Sequence, residues 1–281
     1  MKTNLITLLK LTDLEIRRFR AVLLGLMALV ALIQLGGLSS IMARQLALIE
    51  NTMEQSGSSL EEFLQYNAPL SLPGLLNQMD GVTGAAIASC IVVIAACVFF
   101  IWYRDWFGRA GFAARLLMLP HPRFLLYLSK LAAILTFVFV LFAWQIVIVS
   151  GQMILYHVQV PESLRLTSTL VDSIRSADLV LFIPVRLTEF LLTYGVGIVI
   201  VLLLFTTVLL ERSYRFKGLL GGIAGTAAVF VLLAWLWGTA DSPNPFLYPT
   251  ELLALFVGAL LASAALALWL GWRLLRGKVS V

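Results

Sequence analysis

Six long apolar runs alternate with shorter polar segments along the 281 residues of the chain. Each run is long enough to cross the hydrocarbon core of a bilayer, which takes about 20 helical residues. A membrane β-barrel would instead show short segments in which apolar and polar residues alternate. The pattern therefore predicts an all-α membrane protein with six transmembrane helices in a single domain over residues 1–281. The runs cover residues 21–42, 81–101, 127–153, 179–210, 218–239 and 251–272.

Composition supports this class. Hydrophobic residues make up 60% of the chain and charged residues 12%, and the mean hydropathy is +0.96. Soluble domains contain about 25% charged residues, so the sequence indicates an integral membrane protein.

The basic residues lie mainly on one side of the predicted membrane. Sixteen of the twenty lysines and arginines precede the first run, lie between the second and third runs or at the start of the third (Lys130), separate the fourth from the fifth, or follow the sixth. Positive residues flanking membrane helices are retained in the cytosol, which predicts cytoplasmic N and C termini. Anionic lipid on the inner face accounts for the net charge of +5, so the charge does not indicate a nucleic-acid partner.

Residues 1–20 alternate leucines with charged side chains. This pattern predicts an N-terminal amphipathic helix that lies at the inner interface before the first span. The alternative is an ordinary basic flank of that span. The segment is too polar for the apolar core of a secretory signal and no cleavage site of small residues follows, so we expect it to be retained.

The polar segment after the first run contains the spacing of a capping box at Ser59 and Glu62, which predicts a short external helix through Gln65. Adjacent Glu61 and Glu62 also invite comparison with membrane proteases that use a glutamate pair. Because no arginine follows at a matching distance and no paired histidines occur, a solvated helix cap is the better interpretation.

Cys90 and Cys97 are the two cysteines of the chain and lie seven residues apart in the second run. Thiols in an apolar helix behave as small apolar side chains. A metal site would need further histidines or thiols nearby, and the chain has only His121 and His157. We therefore expect neither a metal site nor a catalytic residue.

Four polar residues in or near the spans are candidates for a transport pathway or gate. Gln145 and Gln152 lie in the third run, where polar groups are expensive and tend to face a cavity or a partner helix. A bond to a neighbouring helix is the alternative role. Arg186 and Glu189 are three residues apart near the start of the fourth run and can form an ion pair, which is either structural or part of a gate.

Glycines open the fifth run at Gly221, Gly222 and Gly225. Small residues at this spacing let two helix backbones approach closely. The contact can lie within the subunit or between two copies.

The polar stretch between the second and third runs has a dense positive charge. Residues 105–119 interleave aromatic and leucine side chains with arginines, which predicts a helix along the inner surface that ends before Pro120 and Pro122. Such a helix either anchors the chain to lipid or transmits mechanical force to the two spans that flank it. The residues alone leave these alternatives open.

Residues 111–130 resemble the corresponding loop of membrane subunits of type 2 ATP-binding-cassette exporters. The matching positions are Gly111, Leu116, Leu117, Pro120, Pro122, Arg123 and Lys130. Three positions depart from the family pattern. Pro122 stands where serine is usual, Phe112 follows the glycine where threonine is common, and Asp105 lies further upstream than the usual acidic residue.

The resemblance implies that this loop is a coupling element seated on a separate cytosolic ATPase subunit. It assigns coupling to Arg104, Asp105, Arg109, Gly111, Arg115, Leu116, Leu117, Pro120 and Arg123. The chain has no phosphate-binding loop of its own, so ATP and magnesium would bind to the partner, and we expect no cofactor on this chain and no enzyme activity.

The expected function is that of the transmembrane subunit of an exporter for a hydrophobic or amphipathic substrate, such as a peptide, drug or lipid-like molecule. It would pair with a second copy or a homologous membrane subunit in the lipid bilayer of a bacterial plasma membrane. The alternative is a non-transporting sensor or scaffold with the same fold. A membrane enzyme is disfavoured because titratable residues do not converge within the spans.

Overall fold

Six long helices dominate the computed structural model, which describes residues 2–57, 59–107, 124–176, 183–184, 186–240 and 248–277. They are α1 (Lys2–Ser56), α4 (Asp80–Phe107), α5 (Phe124–Gln159), α7 (Leu187–Tyr214), α8 (Phe216–Ala240) and α9 (Pro249–Gly277). The shorter elements are α2 (Leu60–Tyr66), β1 (Leu70–Ser71), α3 (Leu72–Asn77), a 3-10 turn (Glu162–Leu164), β2 (Arg165–Leu166) and α6 (Leu170–Ser176). All six long helices are long and apolar enough to cross a membrane. This confirms a helical, multi-pass membrane protein, while the cytoplasmic side of the termini stays a prediction.

The first helix is longer than the apolar pattern predicts. It runs for 55 residues without a break at residue 21 or residue 42, which is about 82 Å at the helical rise of about 1.5 Å per residue. No proline occurs in it, and a glycine in a helix interior costs only about 1 kcal/mol relative to alanine. Gly36 and Gly37 therefore do not end the helix. The N-terminal segment, expected as a separate interfacial helix, is the first part of α1.

Two other helix ends bear on the predicted elements. Helix α4 continues through Phe107, so Asp105 lies in its last turn and does not begin a new helix. Residues 108–123 lie outside the described residues, and the rest of the predicted 105–119 helix stays a prediction. Helix α7 begins at Leu187, shortly after Pro184, where the missing amide proton of proline disfavours helix.

The described chain divides into two compact units, and each is considered by itself. The first unit comprises Met1–Arg20, Ile94–Phe137 and Leu191–Val281, and the second comprises Ala21–Val93 and Val138–Phe190. Helices α1, α4 and α5 each contribute residues to both units, whereas α8 and α9 belong entirely to the first unit.

An aromatic cluster lies in the core of the first unit. The ring of Phe205 in α7 meets the rings of Trp102 and Tyr127 edge-on, with both centroid distances at 5.4 Å. On α9, a Cβ atom added to Gly271 would lie 3.1 Å from the Tyr127 ring. The cluster therefore packs α4, α5, α7 and α9 together, and α9 approaches closely because it has no side chain at this point.

A tight turn joins α7 to α8. Arg215 lies between the two helices with a φ of 55°, in the left-handed region that non-glycine residues rarely adopt. Three residues later a Cβ atom on Gly218 would lie only 1.9 Å from the Leu210 carbonyl oxygen. Glycine is therefore required at residue 218 for α8 to turn back along α7.

The predicted glycine contact of the fifth span falls on Gly222. Its absent Cβ would lie 2.7 Å from Thr207 Cγ2 and 2.8 Å from Thr207 Cα. Apart from the local backbone of α8, no heavy atom of the described residues lies within 4 Å of the corresponding positions of Gly221 and Gly225. The contact at Gly222 is thus within the subunit.

The second unit contains a hydrophobic core that the sequence pattern did not predict. Its buried side chains come from α1, α3, α4 and α5, from Met79 between α3 and α4, and from the segment after α5. They include Leu38, Met42, Leu72, Leu75, Leu76, Met79, Val149, Tyr156, Val160, Leu164 and Ile174. The segments between the long helices, which looked simply polar and external, therefore fold against the helix ends.

Two short strands close this core. Leu70 pairs with Arg165 and Ser71 with Leu166 in a parallel register. The Tyr156 hydroxyl lies 2.6 Å from the Leu70 carbonyl oxygen and 3.1 Å from that of Leu166. One buried tyrosine on α5 thus holds both strands.

The capping box predicted at Ser59 is confirmed. The Glu62 amide donates to Ser59 Oγ and the Ser59 amide donates to the Glu62 carboxylate, and the helix that follows spans Leu60–Tyr66. A similar cap at Thr169 and Asp172 begins α6.

Candidate functional site

Lys130 is the centre of a buried polar cluster in the first unit. Its side chain lies on the inward face of α5, in register with the fully buried Tyr127 and Ile134, and only 2% of the residue is exposed. Its ammonium donates to Glu15 Oε1 at 3.1 Å and to the Ile101 carbonyl oxygen at 2.7 Å. One cation therefore joins α5 to α1 and to α4.

The indole of Trp102 lies beside the same cation. Its ring centroid is 5.2 Å from Lys130 Nζ, within the range of a cation–π interaction. Trp102 also belongs to the aromatic cluster of the first unit. The polar cluster is thus built into the packing of the helices around it.

Glu15 supplies the negative charge from α1. It is 5% exposed, and its Oε1 also lies 3.6 Å from the guanidinium of Arg18, one turn along the same helix. Thr12 and Phe19 lie on the same face of α1 as Glu15, three residues before it and four after it. Thr12 Oγ1 approaches the Ser129 carbonyl oxygen at 3.5 Å, and Phe19 is buried. This face therefore meets α5 through polar contacts near its centre.

We name these residues the Lys130 cluster: Glu15, Arg18, Ile101, Trp102 and Lys130. Removing one charge from a buried ion pair typically costs about 3–5 kcal/mol because the other charge remains without compensation. In this cluster, hydrogen bonds to Glu15 and to the Ile101 carbonyl oxygen compensate the charge of Lys130. The cations of Lys130 and Arg18 compensate the charge of Glu15. The cluster can thus hold three helices in a defined arrangement.

The cluster was not predicted from the sequence. Lys130 was assigned only to the basic side of the membrane and to the family pattern, and Glu15 to the polar face of an amphipathic helix. The available signal was the position of Lys130 in the apolar stretch that starts at Phe124. An ionisable residue there requires a partner of opposite charge.

The structure describes little of the predicted coupling stretch. Arg104 is exposed near the end of α4, and its guanidinium lies 5.3 Å from the centre of the Phe19 ring on α1. Asp105 belongs to the last turn of α4. The other predicted coupling residues lie outside the described residues: Arg109, Gly111, Arg115, Leu116, Leu117, Pro120 and Arg123.

The end of α4 is also attached to α7. The Tyr103 hydroxyl donates a hydrogen bond to the Glu211 carboxylate. Together with Arg104 on Phe19 and Lys130 on Ile101, this bond connects the last turns of α4 to α1, α5 and α7.

In the second unit, two of the predicted pathway residues face different surroundings. Gln145 exchanges two side-chain hydrogen bonds with Gln34 of α1, at 2.8 and 3.2 Å. Gln152 is 1% exposed, and its Oε1 has no hydrogen-bond partner among the described residues. Gln159 donates to Ser39 Oγ at 2.9 Å.

These three glutamines are seven residues apart along α5, which places them on one face of the helix. The two outer ones bind α1. Gln145 therefore forms the bond to a neighbouring helix that was its alternative role. A role of Gln145 or Gln152 in a transport pathway stays a prediction.

The predicted ion pair of Arg186 and Glu189 is present. The charged atoms are 3.8 Å apart, and the two side chains are 78% and 41% exposed. Exposed pairs contribute only about 0–1 kcal/mol, so this pair adds little to stability. A role in gating stays a prediction.

Cys97 is buried and Cys90 half-buried, and both thiols are free. Within the part of the chain that the structure describes, no three His, Cys, Asp or Glu side chains are arranged to hold a metal ion.

Comparisons of the chain with models of protein families, with curated proteins and with solved structures found no match. The helices, the Lys130 cluster and the sequence resemblance at residues 111–130 therefore carry the argument about function.

Proposed function

We propose that this chain is the transmembrane subunit of a type 2 ATP-binding-cassette exporter that is powered by a separate cytosolic ATPase. Three features support the proposal. Six helices are suited to cross a membrane, residues 111–130 resemble the coupling loop of that family, and the chain lacks a phosphate-binding loop.

The position of Lys130 is the observation that carries the proposal. Lys130 is the last residue of the family pattern, and its ammonium binds both Glu15 on α1 and the Ile101 carbonyl on α4. A segment that receives force from a partner can pass it on only if the helices at its ends are joined to the rest of the membrane domain. The cluster provides that connection close to both ends of residues 108–123.

In the proposed mechanism, two ATPase chains bind ATP and magnesium and close on each other. Their movement displaces the coupling stretch that contains Asp105 and Arg109. Two membrane subunits, identical or homologous, then alternate their access between the two sides of the membrane. The substrate would be hydrophobic or amphipathic and would leave the cytosol of a bacterial cell.

Association with an ATPase tests the proposal directly. The protein, tagged in its own cells and purified in a mild detergent, should recover an ATP-binding-cassette ATPase subunit. After reconstitution in lipid, the bound ATPase should hydrolyse ATP faster than the free subunit. If the two neither associate nor show stimulated hydrolysis, the proposal is wrong.

Substitutions in the coupling stretch separate a force-transmitting element from a lipid anchor. Asp105→Ala and Arg109→Ala should reduce the stimulation of hydrolysis and leave the amount of protein in the membrane unchanged. Lys217→Ala, at an exposed basic residue in the first turn of α8, is the matched control and should behave as wild type. Full stimulation in both coupling variants would assign the stretch to lipid anchoring, and association without stimulation would favour a sensor or scaffold.

A further inference from the structure

The contact between Glu15 and Lys130 joins two helices, and each residue has a second partner that does not depend on that contact. Glu15 lies 3.6 Å from Arg18 of its own helix. Lys130 donates to the Ile101 carbonyl oxygen and lies beside the Trp102 ring, both on α4. If α1 moved away from α4 and α5, Glu15 would keep a cation and Lys130 would keep a hydrogen-bond acceptor.

This arrangement differs from an isolated buried ion pair. In an isolated pair, separation of the helices leaves each charge buried without compensation, which opposes that separation. In the Lys130 cluster, Arg18 would still compensate the charge of Glu15, and the Ile101 carbonyl oxygen would still accept a hydrogen bond from Lys130. These remaining partners reduce the free-energy cost of separating Glu15 from Lys130. The geometry therefore permits a contact that forms and breaks while the two helices remain folded.

The location of the contact relates it to the segment between α4 and α5. Ile101 lies six residues before the end of α4, and Lys130 lies six residues after the start of α5. At the helical rise, each is about 9 Å of helix from the segment that the two helices flank. Movement at either end of the segment therefore acts on the helices that Lys130 holds.

We propose that Glu15 and Lys130 are positioning residues that form a reversible contact between the N-terminal part of α1 and the paired ends of α4 and α5. With the contact formed, α1 moves together with the paired ends of α4 and α5. With the contact broken, α1 moves independently. The inference rests on the proposed function only for the source of the movement, which is the bound ATPase.

The first experiment measures the contact without any ATPase. Cysteines at residues 12 and 129 report the distance between α1 and α5, because Thr12 Oγ1 lies 3.5 Å from the Ser129 carbonyl oxygen. They are introduced together with Cys90→Ser and Cys97→Ser and joined by a short, reducible bis-thiosulfonate reagent. Glu15→Gln should slow the cross-linking several-fold in the purified protein.

Asp13→Asn is the matched control for this measurement. Asp13 forms an ion pair with Arg17 on the exposed side of the same helix, with side chains that are 57% and 74% exposed. It should leave the cross-linking rate unchanged. Equal rates in the Glu15→Gln and Asp13→Asn proteins would show that Glu15 does not hold α1 against α5, and would overturn the inference whatever the ATPase does.

The second experiment asks whether the contact has to break. Cross-linking residues 12 and 129 should abolish the stimulation of ATP hydrolysis in the reconstituted complex, and reduction of the cross-link should restore it. Stimulation that persists in the cross-linked protein would overturn the inference. Failure of the ATPase to associate would count against the proposed function, and the first experiment would still decide whether the contact exists.

A double substitution distinguishes a reversible contact from a purely structural one. Glu15→Leu with Lys130→Met replaces the pair by apolar side chains, which commonly preserves or raises stability. We expect a folded protein whose melting temperature is at least that of wild type and whose stimulation of hydrolysis is lost. Normal stimulation in this variant would mean that the pair serves stability alone.

Discussion

Gln145 on α5 and Gln34 on α1 exchange reciprocal side-chain hydrogen bonds across the helix contact. Each carboxamide donates one hydrogen bond and accepts one, at 2.8 and 3.2 Å, and Gln34 is fully buried. A reciprocal amide pair requires both side chains at matching heights. It therefore defines the register of α1 against α5 as well as contributing to their association.

Gln145→Leu should destabilise the protein by about 1–2 kcal/mol, because it leaves the Gln34 amide buried without partners. Replacing both glutamines by leucine should restore most of that loss. The free energy of unfolding can be measured by denaturant titration in mixed micelles. A double variant that loses as much as the two single variants together would show that the two glutamines act independently.

Gln152→Leu should raise the free energy of unfolding or leave it unchanged. An unsatisfied amide oxygen in a buried site costs about 1–3 kcal/mol, and Gln152 Oε1 has no partner among the described residues. The same titration should therefore show unchanged or increased stability. A loss as large as that of Gln145→Leu would reveal a bound water or another polar partner at Gln152.

The six long helices were predictable because the length of an apolar run is a direct consequence of bilayer thickness. The ends of α1 were not predictable. Residues 43–56 mix polar and apolar side chains and contain no proline, so they continue the helix as readily as they would form a loop. The core around Leu72 and Leu76 was also missed, because short apolar clusters between spans show no periodicity that separates a folded segment from a loop.

Of the candidate site, local relationships were predictable and distant ones were not. The ion pair of Arg186 and Glu189 follows from helical spacing. The pairing of Glu15 with Lys130 spans 115 residues and depends on how α1 and α5 pack, which no local pattern contains. An isolated lysine in an apolar run indicates that a partner exists but does not identify it.

Tyr156→Phe should loosen the two short strands of the second unit. Two-residue strands are too short to be stable alone, and the Tyr156 hydroxyl lies within hydrogen-bond distance of a carbonyl oxygen in each strand. We expect a loss of about 1–2 kcal/mol and faster amide exchange in Leu70–Ser71 and Arg165–Leu166. Tyr66→Phe, at a highly exposed tyrosine, is the control. Unchanged exchange in Tyr156→Phe would mean that the core alone holds the strands.

The stability of the first turn of α6 should depend on pH. The hydroxyl and the amide of Thr169 donate to the Asp172 carboxylate and lower the pKa of Asp172 below its ordinary value of 3.8. Since the folded pKa is the lower one, the stabilisation is present above pH 3.8 and is lost as the pH falls through the folded pKa. Hydrogen-exchange protection of Leu170–Ser176 should therefore decline in this acidic range. Asp172→Asn should remove that decline, and an identical decline in the variant would assign it to another group.

Gly222→Ala should be strongly unfavourable for the pairing of α7 with α8. The added Cβ would lie 2.8 Å from Thr207 Cα, which is a backbone atom and cannot rotate away. The tight turn at Arg215 prevents the helices from separating easily, and the contact between the Thr207 and Thr226 hydroxyls, 3.2 Å apart, would be disturbed.

We expect a loss of about 1–3 kcal/mol, as for overpacking in a core, measured by the same unfolding titration. Gly225→Ala is the matched control on the same helix, since apart from the local backbone of α8 no atom in the described part of the chain lies within 4 Å of the added Cβ. It should leave stability unchanged or raise it by up to about 1 kcal/mol, because alanine is the better helix former. A neutral Gly222→Ala would mean that α7 and α8 lie further apart than the described contact. A Gly225→Ala protein that is stable but fails to form dimers would instead place Gly225 at a contact between copies.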